Sequence, residues 1–345
     1  MYMPIIGLDL GRHNFRAVQL DRQKGRNLLT KLGTYENPRI NLETDSKDEL
    51  SSYSKAIKDF FNESAFDTSN TVVSLPEHHV YMRIIKVPLM SDKELKSSIQ
   101  FEAEQYIPLP LKEVSLSYQK IENDLTEKGK MDIQLVAAKK TILEKYVQIL
   151  REARLVPRGI EPETLSIGRV LGDTSDHPYA SIILNIGYQE SLIIITYRGF
   201  VRFTRSISIG GDVLTRAISQ SLSLDYVQAE EYKKAYGLDI NQAEGKIFAV
   251  LKPLFDNLIQ EVKRSKIFFT THNPNINIDR VVFSGGTALM PGLFFYMANN
   301  LDLEVELANP WKNIQFSEKV ASKKDSLIEE GPVFSASVGL ALKEI

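Results

Sequence analysis

One pattern occurs twice in this chain and limits what it can fold into: an apolar run that ends in a glycine turn and leads into further alternating strands. In the first half the run closes on Leu8-Asp9-Leu10-Gly11, in the second on Leu184-Asn185-Ile186-Gly187. Residues 4–35 read as three consecutive strands, PIIGLDL, NFRAVQLDR and LLTKLGTY, because apolar and polar residues alternate with the period of two that a half-buried strand needs. From residue 179 the scheme returns, and FVRFTRSISIGG completes the second triplet. A distant internal duplication follows: two related α/β lobes, each opening with three antiparallel strands and a glycine turn between the first two. A length of 345 residues suits two such lobes. A third glycine loop, VVFSGGTALMPG at 281–292, ends another β-branched run. Where a strand stops in glycine, no Cβ keeps an anion away from the N–H groups of the turn. Two such turns and a bare glycine pair predict two grips for phosphate and a surface for the base of a nucleotide.

Between the triplets the periodicity changes. Ser46 and Glu49 make a capping box for a helix whose apolar face is Leu50, Tyr53, Ile57, Phe60 and Phe61. Two strands follow, TVVSLP and VYMRIIKVP. Ser91 and Glu94 cap a second helix that Pro108 and Pro110 end near Tyr106. Two alternating strands and a helix opened by Thr141 and Glu144 complete a helix–strand–strand–helix unit at 88–155, inserted into the first lobe. RGIEPETLSIGRVLG reads as a strand end and a helix. Helices dominate 212–271, with Pro253 expected to kink or divide the longest. Residues 317–331 read as a charged loop, and 333–343 as a final small-residue helix. The expected division is therefore 1–87, 156–178 and 332–345 as the first lobe, 88–155 as the insertion, and 179–331 as the second lobe.

Composition removes several classes of function. The chain has no cysteine, so disulfides, thiol catalysis and cysteine-held metals are excluded. Forty-two Lys and Arg against 44 Asp and Glu leave no basic excess for nucleic acid. The five histidines have no metal-ligand spacing; His78 and His79 are adjacent and read as surface residues. The apolar start is too short for a signal peptide and runs into Asp9. The stretch 181–197 is broken by Asn185, Gln189 and Glu190, so it reads as two strands and not a membrane span. A cytoplasmic protein that reaches membranes only through a partner is expected.

The loops also carry candidate chemistry. Asp9 ends a buried strand, where a carboxylate needs a partner. It reads either as part of a hydrated magnesium shell or as a cap of its own turn. Arg16, on the next strand, can reach back to a phosphate over Gly11 and Asn14, or lie in solvent. Asn185 stands where the second loop would repeat Asp9; an amide orients water but adds no charge, which disfavours fast hydrolysis. Glu161, before Pro162, reads as a water-activating base or as a hinge-region carboxylate. Glu230 and Lys233 share one helix face, as ligands for a ribose or as a simple ion pair. Tyr106, Ile107 and Leu109, held out of helix by two prolines, read as a partner groove or as core beneath the insertion.

These loops, in this order, resemble the superfamily of actin, heat-shock chaperones and sugar kinases, over essentially the whole chain. The resemblance implies a two-lobed actin-like fold, a duplicated RNase H-like α/β architecture, with ATP and Mg2+ in the cleft. It implies that Asp9, Gly11, Arg12, His13, Asn14 and Arg16 form the first phosphate loop, and Asn185, Gly187, Tyr188 and Gln189 the second. It places Glu230, Lys233, Gly285, Gly286, Thr287 and Met290 around the nucleoside, with Asp9 and Asn185 beside the metal. The inserted unit resembles the FtsA-type subdomain. EAEQYIPLPLKEVSLSYQ and the ending SASVGLALKEI most resemble the PilM family, cytoplasmic actin-like proteins of type IV pilus assembly. That similarity implies an ATP-loaded adaptor with slow or absent hydrolysis, peripheral to the inner membrane. It would grip the N-terminal cytoplasmic tail of a PilN-like bitopic membrane protein and meet other pilus or type II secretion components. No amphipathic membrane helix follows Leu342, which sets the chain apart from FtsA. The alternatives are a filament-forming ATPase of the FtsA type and a small-molecule kinase.

Overall fold

The computed structural model describes residues 4–38, 40, 42, 44–121, 126–172 and 179–343. The outer edges of the expected first lobe, at 1–3, 173–178 and 344–345, and part of the loop after Ile121, lie outside them.

The first triplet is an antiparallel meander of β1 (Ile5–Leu10), β2 (Asn14–Gln23) and β3 (Arg26–Glu36), with Asp9 opposite Arg16. α1 (Lys47–Ser64) starts where the Glu49 amide donates to the Ser46 side chain, and buries Leu50, Tyr53, Ile57, Phe60 and Phe61. β4 (Asn70–Leu75) then runs parallel to β1.

β5 (Val80–Pro88), α2 (Asp92–Glu104), β6 (Val114–Ile121) and β7 (Lys130–Lys139) form a small unit. Its sheet has the order β5-β7-β6, and α2 buries Leu95, Ile99 and Ala103 against Ile85, Val87, Ile133 and Leu135. The Ser91–Glu94 capping box is complete. The unit begins at Val80, earlier than residue 88, because β5 pairs with β7 along its whole length. Alternation marks a strand but not its neighbour, so the sequence could not assign β5. α3 (Lys140–Glu152), read as part of the insertion, packs Tyr146, Ile149 and Leu150 into the first lobe's core. It begins one residue before Thr141 and has no side-chain cap. β8 (Val156–Pro162) adds to β4, and α4 (Glu163–Leu171) follows directly.

The second triplet is β9 (Tyr179–Ile186), β10 (Ser191–Tyr197) and β11 (Phe200–Ile207). Three helices cover it: α5 (Gly211–Leu222), α6 (Tyr226–Tyr236) and α7 (Lys246–His272). Pro253 lies inside α7 without dividing it. The missing hydrogen bond costs roughly 3 kcal/mol, but Leu251, Phe255, Leu258, Ile259 and Val262 are buried on one side and offset it at roughly 1.5–3 kcal/mol each. β12 (Asn277–Ser284) runs parallel to β9, and after α8 (Leu293–Asn300), β13 (Glu304–Leu307) extends the sheet.

The chain then returns to the first lobe, earlier than residue 332: β14 (Ile314–Phe316) pairs with β3. The stretch read as a loop contains α9 (Glu318–Ala321) and α10 (Lys324–Glu329), which bury Val320 and Leu327 beside Trp311 and Leu29. α11 (Ser335–Ala341) is the last helix among the described residues. The two large sheets read β14-β3-β2-β1-β4-β8 and β11-β10-β9-β12-β13, so each triplet is followed outward by parallel strands. The duplication is real. At the junction a Cβ on Gly7 would lie 1.9 Å from the Ser337 carbonyl, and one on Gly339 1.9 Å from that of Ser166. Backbone touches backbone there, which accounts for the small residues of α11.

Candidate nucleotide cleft

The glycine ends of β1, β9 and β12 converge on one cavity of about 450 Å³. All six residues read as the first loop line it, as do all four of the second and all six of the nucleoside group. Parallel pairing of β12 with β9 brings Ser284 opposite Asn185 and so sets Gly285 beside the second loop.

In the first loop the Ser74 hydroxyl donates to Asp9 at 2.9 Å. Burial pushes the Asp9 carboxyl above its ordinary value, against the opposing pull of Arg16 and Ser74. Burial likewise lowers the Arg16 guanidinium despite Asp9 and Glu330. The Nε of Arg16 and the Nδ1 of His13 are buried without a hydrogen-bond partner. Arg16 lines the cavity, and a guanidinium there suits an anion. The Asn37 amide donates to the Gly11 carbonyl at 2.7 Å and fixes the turn. Arg12 Nε donates to Gln189 Oε1 at 3.0 Å, so the two loops already touch across the cleft.

The second loop is braced from behind. Gly211 N–H donates to the Gly187 carbonyl at 2.9 Å and Asp212 N–H to that of Tyr188 at 2.8 Å. The Tyr188 and Tyr226 hydroxyls both donate to Asp212 Oδ1. Lys233 donates to the Gly211 carbonyl, Thr215 Oγ1 and Glu230 Oε2, at 2.9, 2.8 and 2.6 Å. An ammonium has three donors. Those of Lys233 are used within the protein, so it holds α6 against the start of α5, and Lys234 beside it lines the cavity. Burial lowers the Lys233 ammonium, and Glu230 only partly restores it. The Glu230 carboxyl is held low by Lys233, Thr215 and Lys234 in spite of its burial.

Gly285 has a φ of +85°, and a Cβ there would lie 2.5 Å from the Ile186 carbonyl. A Cβ on Gly286 would meet nothing within 4 Å, which leaves a bare face for a flat ring.

Glu161 is not in the cavity. It is 4% exposed and bonds to Arg169 at 2.6 and 2.9 Å and to Lys343 at 2.7 Å, so both oxygens are taken. Two residues on, Glu163 lines the cavity as the first residue of α4. Burial, then the charges of Asp9, Glu190 and Glu77, push it well above the usual carboxylate range. The segment IEPE offered both carboxylates; the turn at Pro162 decides which one faces inward. Ser74, His78, His79 and Glu190 also line the cavity, and sequence reasoning missed them or took them for surface. Of the groove residues, Ile107 is 8% exposed and Leu109 packs on the same small core. Leu109 is only partly buried, and Tyr106 is exposed, under the Arg83 guanidinium at 5.2 Å. Among the described residues no group of three or more histidine, cysteine, aspartate or glutamate side chains is placed to hold a metal by itself. No helix among them is long and apolar enough to cross a membrane.

Residues 7–345 match the family model of the type IV pilus assembly protein PilM. The chain belongs to the PilM family. A solved PilM–PilN type IV pilus biogenesis complex is similar over 99% of this chain and 98% of that one, at 26% identity and a TM-score of 0.85. EutJ of Carboxydothermus hydrogenoformans, an ethanolamine utilization protein, shares the fold at 15% identity, covering 99% and 90% of the two chains, with a TM-score of 0.58. MreB5 of Spiroplasma citri, solved with AMPPNP, shares it at 13% identity, 98% and 95% coverage and a TM-score of 0.53. The cell division protein FtsA of Neisseria meningitidis is 21% identical over 233 residues, 60% of this chain. The chain spans about half of that relative's length, 53%. The two-lobed actin-like fold that the sequence implies is borne out by the architecture and these neighbours.

Proposed function

We propose that this chain holds ATP with Mg2+ between its two glycine loops and serves as a cytoplasmic adaptor of a pilus or related secretion platform. The observation that carries the reading is the meeting of both loops on one cavity that Arg16 also lines. The Gly11–Asn14 and Gly187–Gln189 turns would take the phosphates, and Gly286 the base. Asp9, with Asn185, suits a magnesium ion that keeps most of its waters and is otherwise held by phosphate. A bound metal would neutralise phosphate charge.

Hydrolysis would be slow, for two reasons in the chain's own residues. Asn185 brings no second charge. Burial and the neighbouring carboxylates push Glu163 well above the usual carboxylate range, toward the protonated form, which cannot accept a proton from water. ATP then acts as a structural ligand that fixes the lobes.

The partner would be the N-terminal cytoplasmic tail of a PilN-like membrane protein, which would keep the chain at the inner membrane. The solved PilM–PilN complex supports this choice. The seam between the small unit and the first lobe, where Lys140 Nζ donates to the Lys112 carbonyl at 2.8 Å, is the expected place for it. A fluorescent peptide of that tail should bind the ATP-loaded chain and bind an Asp9→Ala variant at least tenfold more weakly. Equal binding to both would break the link between nucleotide and partner.

A further inference from the structure

The strand β11 is the edge of the second lobe's sheet, yet its side chains and carbonyls are fastened at several places to other parts of the molecule, Arg205 to Glu261 of α7 among them. The Val201 carbonyl accepts from Gln134 Nε2 at 3.0 Å. Arg202 pairs with Asp132 at 2.9 Å, their side chains 8% and 0% exposed. Gln134 and Asp132 both sit on β7 of the small unit. Thr204 Oγ1 donates to Glu77 at 2.8 Å, and the other oxygen of Glu77 accepts from Thr164 of α4 at 2.8 Å. Ser206 bonds to Glu190, the last residue before β10, and Glu190 also lies 3.7 Å from His78.

Glu77 is therefore in a special position. It sits in the short turn between β4 and β5, where Pro76, His78 and His79 line the cleft and Val80 starts the small unit. Its carboxylate joins that turn to the second lobe on one side and to α4, which carries Glu163, on the other. A group that binds across both glycine loops would hold β9 and β10 against β1 more firmly than the Arg12–Gln189 contact alone. β11 is laddered to β10 from Ser191 to Tyr197 and would be held with it. The small unit, attached to β11 through Gln134 and Asp132, would be held in turn.

We propose that β11 is the seam by which occupancy of the cleft is communicated to the small unit, with Glu77 as the positioning residue that fastens it. This rests on the nucleotide reading above. It assigns Glu77, Thr204 and Gln134 a role in neither binding nor chemistry, but in coupling two surfaces that do not touch.

The test is hydrogen exchange on the full chain with and without Mg-AMPPNP, with bound nucleotide measured by equilibrium dialysis in the same samples. In the native protein, nucleotide should slow exchange of the β7 amides by about tenfold or more. A Thr204→Val, Gln134→Leu double variant should bind AMPPNP within about threefold of native affinity and lose that slowing. If the double variant does not fold, Thr204→Val alone should show a smaller slowing than the native chain. Nucleotide bound without any change in β7, or the same slowing in native and variant proteins, overturns the seam and leaves the nucleotide reading intact. No bound nucleotide overturns both.

Discussion

Asp9 and Glu163 are two carboxyls of one cleft that burial drives toward the protonated form, and Glu163 is driven further because Asp9, Glu190 and Glu77 add their charges. A folded value above the unfolded one means that the native chain holds the proton more tightly. The stability linked to that proton is present below the ordinary carboxylate value and is lost as pH rises through the raised one. Glu163→Gln keeps the shape and removes the ionisation. It should raise Tm by about 2 °C or more at pH 8, with the gap closing toward pH 4, in melts across that range. A gap that is constant with pH would show that Glu163 is not a protonated buried acid. The same residue shows where sequence reading stops. Glu161 and Glu163 flank one proline, and only the direction of side chains at the end of β8 separates an inward acid from one locked to Arg169 and Lys343.

Among the elements, the strands and glycine turns were legible because alternation and glycine are local signals. Pairing was not. β5 alternates like its neighbours, and nothing in its residues says that β7 and not β4 lies beside it. α3 shows one apolar face, which would pack as well on the small sheet as on the first lobe. The two helices at 318–329 are too short for periodicity to announce them. The role of Lys233 also depends on tertiary placement: spacing showed a pair with Glu230, whereas the fold spends all three donors on bracing α5 against α6. Lys233→Met should leave Glu230, Thr215 and the Gly211 carbonyl short of a donor. A loss of about 2–4 kcal/mol in urea unfolding is expected, together with weaker nucleotide binding. Normal stability with lost binding would instead make Lys233 a direct ligand.

Across the whole molecule, α4 and α11 meet the second lobe's sheet through Ile167, Leu171 and Ala336, packed with Ile183, Leu192, Ile194 and Val201, and α11 itself lies on α4. This contact leaves no room at Gly339, 1.9 Å from a backbone oxygen in the case of an added methyl. Gly339→Ala should therefore cost several kcal/mol, on the order of 3 or more, and lower the yield of folded protein measured by thermal melts. An unchanged Tm would mean that α11 is not packed this closely on α4. The turns at Leu8–Gly11 and Leu184–Gly187, read from the sequence as two grips for phosphate, lie close enough for Arg12 to bond Gln189.

The central claim is that these loops hold one ATP that is kept and not consumed. The most direct measurement is to load the purified chain with Mg-ATP, re-isolate it, and quantify ATP and ADP over several hours. The account predicts ATP retained near one per chain, and none on Asp9→Ala. Steady conversion to ADP would contradict the structural role of the nucleotide, and an empty chain would contradict the cleft itself.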